Sequence, residues 1–287
     1  MIGHGNILSA LLGLLSTTHA WDAPQYPYLA RIWQETFAGP GGAAPNLGNW
    51  NIVNGDLGVN KELQTYTGNS RNVQVSGGNT LQIVPWRDAS ARQGWTSGRI
   101  ESKYVFAPAP GKMTRIEAVV RFGGNPPDRK QGIWPAFWML GDAMRRGMPW
   151  PACGEVDIME TINGQLLGHG TVHCDVFPGG MCNEGNGIGG AIGIPSQNWQ
   201  TWRVEFERRP GNWQDESVSW YMNGQLFHQI RGFQFNNYNV WASLCHNPFY
   251  ILLNIAVGGS WPGYPNGNTL DGWGSMMEVG YVAHYTT

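Results

Sequence analysis

Three acidic residues lie close together in the segment CGEVDIMET, residues 153–161. They are Glu155, Asp157 and Glu160, in a chain of which only 13% of the residues carry charge. Carboxyl groups crowded in this way repel one another, so at least one of them should hold a proton near neutral pH. A protonated carboxyl can act as a general acid while an ionised neighbour acts as a nucleophile, and such a pair can cleave a glycosidic bond.

The spacing of these acids is irregular for a β-strand. Side chains alternate between the two faces of a strand, so Glu155 and Asp157 share one face whereas Glu160 falls on the other. A β-bulge at Ile158-Met159 would absorb one residue and return Glu160 to the face of the other two. We predict this bulge. The alternative for a bare ExDxxE pattern is a solvated strand face or a network of ion pairs.

Short β-rich runs separated by Gly, Pro and Asn make up most of the chain, a pattern that predicts a sandwich or a barrel. Residues 249–258, FYILLNIAVG, are apolar at both parities, which predicts a strand covered on both faces. The dipeptide Asn223-Gly224 lies between two such runs and predicts a tight hairpin. Helical periodicity is nearly absent and no interior linker is visible. We therefore expect residues 21–287 to form a single all-β domain.

The charge balance argues against two classes of partner. The formal net charge is −2, and the chain contains no basic run and no basic amphipathic helix. A nucleic-acid backbone or an anionic membrane surface needs such a positive patch. We expect neither partner, and we expect a monomer.

Fifteen tryptophans offer flat apolar rings that can stack on the CH faces of sugars, with an N–H donor at the ring edge. Trp134 and Trp138 are four residues apart in the run 133–140, so in a strand both lie on the same face and can line one surface. Trp150 comes just before the acidic segment, and Trp261 lies in a GGSWPG loop. All four are candidate substrate-binding residues, and core packing is the alternative for each.

The N-terminal residues resemble a secretory signal peptide. The apolar run 7–15, ILSALLGLL, is too short to span a bilayer, and Thr18-His19-Ala20 follows it. We expect cleavage after Ala20 and a secreted protein; the alternative is a buried N-terminal segment.

The four cysteines fit an oxidising compartment, where an even number usually forms disulfides. Three connectivities are open. We expect Cys174 to pair with Cys182 across a short Gly-rich loop, which leaves Cys153 to pair with Cys245. A zinc site is the alternative, but the chain has no CxxC pair, and we expect no metal ligands.

Several segments, in the same order along the chain, resemble glycoside hydrolase family 16 and within it the laminarinase-like enzymes. The most specific are GIWPAFWML (132–140), WPACGEVDIME (150–160) and GTVH (170–173), and the others are NKELQTYT (60–67), WTSGRIESK (95–103), NWQTWRVEFE (198–207), WYMNGQLFHQI (220–230) and FYILLNIAVGGSWPG (249–263). The resemblance implies a β-jelly-roll sandwich of two curved antiparallel sheets, concanavalin A-like, with a cleft on the concave face. It also implies hydrolysis with retention of the anomeric configuration.

The resemblance assigns roles to individual residues. It implies that Glu155 is the nucleophile, Asp157 its helper and Glu160 the general acid/base. His173 matches a family histidine near the acid/base, with a core histidine as the alternative. Three further matches to cleft positions are Asn60, Glu62 and Arg99. His169 has the parity of His173 but no counterpart in the family, so we expect it to be structural.

One position departs from the family pattern. Many members end in a strand VDYVRVY whose Asp helps to hold a structural calcium, whereas this chain reads VGYVAHY with Gly280 at that position. Because this carboxylate ligand is missing, we do not expect the family's structural calcium in this protein, and we expect no cofactor.

The resulting functional hypothesis is a secreted endo-β-glucanase that acts on β-1,3-glucan or mixed β-1,3/1,4-glucan. A transglycosylase or a galactan-cleaving enzyme of the same fold is one alternative. A β-glucan-binding module without catalysis is another, although Glu155 and Glu160 are both intact.

Overall fold

The computed structural model describes residues 21–287; the signal peptide expected at residues 1–20 lies outside them. The strands in this part of the chain are β1 (Ala30–Glu35), β2 (Trp50–Ile52), β3 (Gln64–Tyr66), β4 (Val73–Val75), β5 (Leu81–Ile83), β6 (Trp86–Arg87), β7 (Trp95–Ser97), β8 (Arg99–Phe106), β9 (Met113–Phe122), β10 (Ile133–Gly141), β11 (Glu155–Glu160), β12 (Leu167–His173), β13 (Ile188–Gly193), β14 (Gln200–Glu207), β15 (Ser217–Met222), β16 (Gln225–Arg231), β17 (Phe249–Val257) and β18 (Met277–Thr286).

Helix is a minor component of residues 21–287, as the sequence predicts. The one α-helix in this range is α1 (Tyr238–Cys245), which begins where the Asn237 side chain accepts a hydrogen bond from the Asn239 N–H. The short 3-10 helices are Pro127–Arg129, Asp142–Arg146, Trp213–Asp215, Gly232–Gln234 and Gly272–Ser275. None of the described helices is long and apolar enough to cross a membrane.

Two large antiparallel sheets form the domain. The eight-stranded sheet has the order β16-β15-β14-β9-β18-β5-β4, and β1 also pairs with β18. The seven-stranded sheet has the order β13-β12-β11-β10-β17-β8-β2, and a small third sheet contains β3, β7 and β6. The two large sheets share one apolar core. This arrangement confirms the predicted all-β jelly-roll sandwich.

Tryptophans of the eight-stranded sheet fill the space between the sheets. Trp202 of β14 and Trp220 of β15 are fully buried, and each removes roughly 150–250 Å² from water, an upper limit of about 4–6 kcal/mol. They lie against Gly168 and Gly170 of β12, where an added Cβ would come within 2.2 Å and 2.4 Å of the two indole rings. Only glycine fits there. The odd-numbered residues of β12, which include His169 and His173, therefore face away from the core.

Two local predictions are confirmed. All nine residues of β17 are buried, and the strand lies between β10 and β8 in the middle of its sheet. Asn223 and Gly224 connect β15 to β16 with φ values of +50° and +83°, the left-handed backbone that a two-residue hairpin requires.

The cysteine prediction is correct for one pair and wrong for the other. Cys174 and Cys182 form a disulfide, whereas Cys153 and Cys245 are both free and buried. They pack in separate apolar clusters: Cys153 lies with Leu140, Tyr250 and Leu252, and Cys245 of α1 lies in the main core. Burial raises the pKa of the Cys153 thiol to about 12.

A carboxylate does not fit at position 280. A Cβ atom on Gly280 would lie 2.4 Å from Trp21 Cε3 and 2.7 Å from Val119 Cγ1. The Trp21 ring covers the space that a calcium-binding side chain would need, so the described residues at this position do not fit the family's calcium site.

Candidate active site

Strand β11 carries the predicted bulge. In its pairing with β10, Met159 lies opposite Phe137 and Asp157 lies opposite Trp138, so Ile158 is the extra residue. The pairing with β12 shifts at the same place. Because of this bulge, Ile158 and Met159 both point into the core, and the three acids all face a cleft on the other side of the sheet.

The cleft consists of two adjoining cavities of about 760 Å³ and 510 Å³. The acids Glu155, Asp157 and Glu160 line both of them. The structure also brings all eight predicted substrate-binding residues to this cleft: Asn60, Trp134 and Trp150 border both cavities, His173 and Trp261 border the larger one, and Glu62, Arg99 and Trp138 border the smaller one.

Glu160 lies deep in the cleft with 9% of its surface exposed. Its Oε1 accepts a hydrogen bond of 2.9 Å from the Trp134 indole N–H. Burial raises the pKa of Glu160 to about 7, and the Glu155 charge adds to this, while the Trp134 hydrogen bond and the charge of His173 oppose it. A carboxyl with this pKa exchanges its proton near neutral pH, as a general acid/base must.

Asp157 is the most buried of the three acids, with 3% of its surface exposed. Burial raises its pKa well above the usual range, and the charges of Glu160 and Glu155 on either side add to the effect. Its Oδ2 has no hydrogen-bond partner among the described residues. The Trp220 indole donates to the Asp157 carbonyl at 2.7 Å and thereby anchors the backbone at the bulge. A protonated Asp157 is a hydrogen-bond donor beside Glu155.

Glu155 lines both cavities and is half-buried. Burial raises its pKa, while the positive charge of His173 and a 3.2 Å hydrogen bond from the Trp150 indole N–H lower it. His173 Nε2 is 4.0 Å from Glu155 Oε1. The ionised form of Glu155 therefore has a cation and an N–H donor beside it, which is what a carboxylate nucleophile needs.

His173 lies between two sets of carboxyl groups. Its Nε2 is 3.5 Å from Asp157 Oδ2, and its Nδ1 is 2.7 Å from Oε2 of Glu184. Burial lowers the pKa of His173, but the Glu184 hydrogen bond and the charges of Glu155, Glu184 and Glu160 outweigh burial and raise it.

Arg99 is already paired within the cleft. Its guanidinium forms a 2.7 Å ion pair with Glu101 and lies over the Trp138 ring, 5.0 Å from the ring centre. The Trp138 indole N–H donates to Asn254 Oδ1 at 2.7 Å. This cluster forms a rigid polar wall in the smaller cavity.

Glu62 is held by two amides, because Asn60 and Gln64 donate to its two oxygens. Burial raises the pKa of Glu62. Together with the Arg99 cluster, these groups offer donors and acceptors for sugar hydroxyls in the smaller cavity.

His169, which we expect to be structural, lies in the cleft. The residue lines the larger cavity, lies opposite Glu160 in the strand pairing, and its ring centre is 5.1 Å from that of Trp261. Its parity with His173 is the signal that would have placed it there. Burial lowers the pKa of His169, so its neutral form is favoured.

Sequence reasoning also missed Glu184, Glu101 and Asn254. Glu184 lies in an irregular Gly-rich loop, where no periodicity indicates which way a side chain points. Glu101 and Asn254 lie on strands β8 and β17, but their importance depends on partners far away in the sequence.

Two groups of side chains within residues 21–287 have the spacing of metal ligands. The first consists of Glu155, Asp157 and His173, which line the cleft. In the second, which contains Glu216 and His246, the Glu216 carboxylate already accepts hydrogen bonds from Arg208 and Trp241.

A jelly-roll sandwich with carboxyl groups at the centre of a tryptophan-lined cleft is typical of a glycoside hydrolase. The family model described as the XgeA-like catalytic domain of glycoside hydrolase family 16 matches residues 47–184. The crystal structure of an endo-1,3-beta-glucanase from Streptomyces sioyaensis is 32% identical, with a TM-score of 0.85, and the match covers 92% of this chain and 99% of that one. The chain belongs to glycoside hydrolase family 16 and is laminarinase-like, as the sequence resemblance predicts.

Curated relatives agree with this assignment. A beta-glucanase from Rhodothermus marinus is 29% identical over 97% of this chain and 92% of its own length. A glucan endo-1,3-beta-glucosidase A1 from Niallia circulans is 30% identical over 88% of this chain. This chain spans only 37% of the length of the Niallia protein. The protein is thus an enzyme of the glycoside hydrolase class.

Proposed function

We propose that the protein is an endo-β-1,3-glucanase that cleaves internal bonds of its polysaccharide with retention of configuration. The observation that carries this proposal is the bulge at Ile158, because it brings Glu155, Asp157 and Glu160 to one side of a single strand. The Streptomyces and Niallia relatives, both with endo-1,3-β-glucan activity in their names, support the choice of substrate.

In the first step, Glu155 attacks the anomeric carbon while Glu160 gives its proton to the departing glycosidic oxygen. A covalent glycosyl-enzyme forms on Glu155. In the second step, Glu160 takes a proton from water, and the resulting hydroxide attacks the anomeric carbon and releases Glu155. Asp157 donates a hydrogen bond to Glu155 when Glu155 is charged, and so helps it to leave at this step.

The position of the acids supports an internal mode of cleavage. They border both cavities, so a glucan chain can occupy sites on either side of the reacting bond. The rings of Trp134 and Trp261 meet edge to face at 5.4 Å in the larger cavity, and Trp138 forms a platform in the smaller one. Apolar platforms with nearby polar groups suit the CH faces and hydroxyls of glucose.

Product analysis tests this proposal. Purified protein should release a series of oligosaccharides from laminarin, and NMR recorded in the first minutes should show the β-anomer as the first product. Release of α-anomers would contradict retention. Binding to laminarin with no new reducing ends would support a glucan-binding module, and products longer than the starting oligosaccharide would support a transglycosylase. Lichenan and mixed-linkage glucan in parallel would define the linkage preference.

We also propose that the protein is secreted as a monomer after cleavage at Ala20. The Cys174–Cys182 disulfide supports secretion, because such bonds persist in oxidising compartments. N-terminal sequencing of protein from the culture medium should begin at Trp21, and light scattering should give the mass of a single chain. An uncleaved N-terminus or a dimer mass would contradict these proposals.

A further inference from the structure

Glu184 lies behind His173, on the side of the imidazole away from the acids. Its Oε2 is 2.7 Å from His173 Nδ1, and its Oε1 accepts the Cys174 backbone N–H at 2.8 Å. Only 5% of the residue is exposed. Both carboxylate oxygens are thus engaged away from water, so the orientation of Glu184 is fixed by its contacts.

The loop that carries Glu184 is itself tied down. The Cys174–Cys182 disulfide closes its first part, and the backbones of Gly179 and Glu184 exchange two hydrogen bonds of 2.6 Å. Cys174 directly follows His173 in the chain, so the disulfide holds the loop at the end of β12. A carboxylate on this loop has little freedom to move away from the histidine.

The charged groups around His173 come from two elements. Strand β11 supplies the three acids Glu155, Asp157 and Glu160, and the loop supplies Glu184. The neighbouring strand β13, with the sequence IGGAIG, brings no charged residue. Arg99 of β8 is a second positive charge near Glu155, but it is paired with Glu101.

The groups around this half-buried imidazole favour its protonated form. Hydrogen bonding to Glu184 at Nδ1 favours the doubly protonated ring, whose Nε2–H then points at Asp157 and Glu155. That positive charge keeps Glu155 ionised at a lower pH than burial alone would permit.

We propose that Glu184 is a positioning residue that acts through His173 and sets the acidic limit of the pH range in which the enzyme works. This inference rests on the proposed role of Glu155 as nucleophile. The carboxylate of Glu184 touches neither the substrate nor the reacting atoms in this arrangement. The negative charge of Glu184 also raises the pKa of Glu155 directly, but the His173 cation lowers that pKa by more.

The test is the pH profile of kcat/KM on laminarin for Glu184→Gln and for the wild-type chain. The substitution removes the negative charge with little change of shape, so His173 loses its proton more easily. Loss of the His173 cation makes Glu155 harder to ionise, and this outweighs the smaller direct effect of the lost Glu184 charge. The acid limb should move to higher pH by about one unit. Glu184→Asp, which keeps the charge, should bring the acid limb part of the way back to its wild-type position.

Glu35→Gln is the matched control. Glu35 is also a buried carboxylate that accepts a backbone N–H, from Phe37 at 2.9 Å, and an indole N–H, from Trp50 at 3.1 Å. It lies outside the cleft. This variant should lower the melting temperature and leave both limbs of the profile in place.

An equal loss of activity at every pH in Glu184→Gln, or an unchanged profile, would overturn the inference. If the variant does not fold, nitrogen NMR of the wild-type His173 side chain decides. The ring should remain doubly protonated at pH 7, and a neutral ring there would also overturn the inference. The NMR result does not depend on substrate, whereas absence of laminarin hydrolysis by wild-type protein would refute the proposed function alone.

Discussion

Replacing Trp134 with phenylalanine should move the basic limb of the pH–rate profile to higher pH. The substitution keeps an aromatic ring in the cleft but removes the indole N–H that donates to Glu160 Oε1 at 2.9 Å. This hydrogen bond favours the ionised carboxylate and opposes the effect of burial, which raises the pKa of Glu160 to about 7. Without it, Glu160 keeps its proton to higher pH. Because the acid catalyst must be protonated, activity should persist further into the alkaline range.

The size of the shift follows from the strength of the bond. A hydrogen bond to a charged group contributes about 1.5–3 kcal/mol, and one pH unit corresponds to about 1.36 kcal/mol. Trp134 is only half-buried, so the lower end applies. We therefore expect the basic limb of kcat/KM on laminarin to move upward by about one pH unit.

Trp138→Phe is the matched control for this experiment. Trp138 lies on the same strand and lines the same cleft, but its indole N–H donates to the Asn254 amide rather than to a carboxyl. It should lower kcat/KM and leave the basic limb in place. An unchanged limb in Trp134→Phe, or a shift to lower pH, would refute the role of this hydrogen bond.

Three further predictions concern stability and metal dependence. Gly170→Ala should lower the free energy of unfolding by about 1–3 kcal/mol in urea titrations, because its Cβ would lie 2.4 Å from the Trp220 ring; wild-type stability would contradict the packing described here. Replacing Cys174 and Cys182 together by serine should cost about 2.5 kcal/mol of unfolding free energy in the chain-entropy model, and a smaller loss than 1 kcal/mol would show that the loop is constrained in other ways. Excess EDTA should change neither the melting temperature nor the rate on laminarin, because Gly280 leaves no room for a carboxylate ligand; a drop in either would reveal a required metal.

Much of the fold follows from local patterns in the sequence. The double-sided apolar run of β17 and the Asn223-Gly224 turn each constrain their own conformation, and both occur as predicted. The bulge at Ile158 is also predictable, because Glu155, Asp157 and Glu160 can share one face of the strand only if the strand accommodates one extra residue.

Long-range pairings are less accessible from sequence. The pairing of Cys153 with Cys245 is a prediction by elimination, and the structure places the two thiols in different apolar clusters. Glu184 was missed because an irregular loop has no period that indicates the direction of a side chain. The lack of a family counterpart predicts a structural role for His169. Its spacing of four residues from His173, however, places both side chains on the same face of β12.

The most direct test of the account is to trap the covalent intermediate. A 2-deoxy-2-fluoro laminaribiosyl donor with a good leaving group should slow the second step and leave the sugar attached to the enzyme. Mass spectrometry of the digested protein should then find the sugar on Glu155, in the peptide that contains CGEVDIMET. A label on Glu160, or turnover of the donor to an α-anomer with no labelled enzyme, would contradict the mechanism.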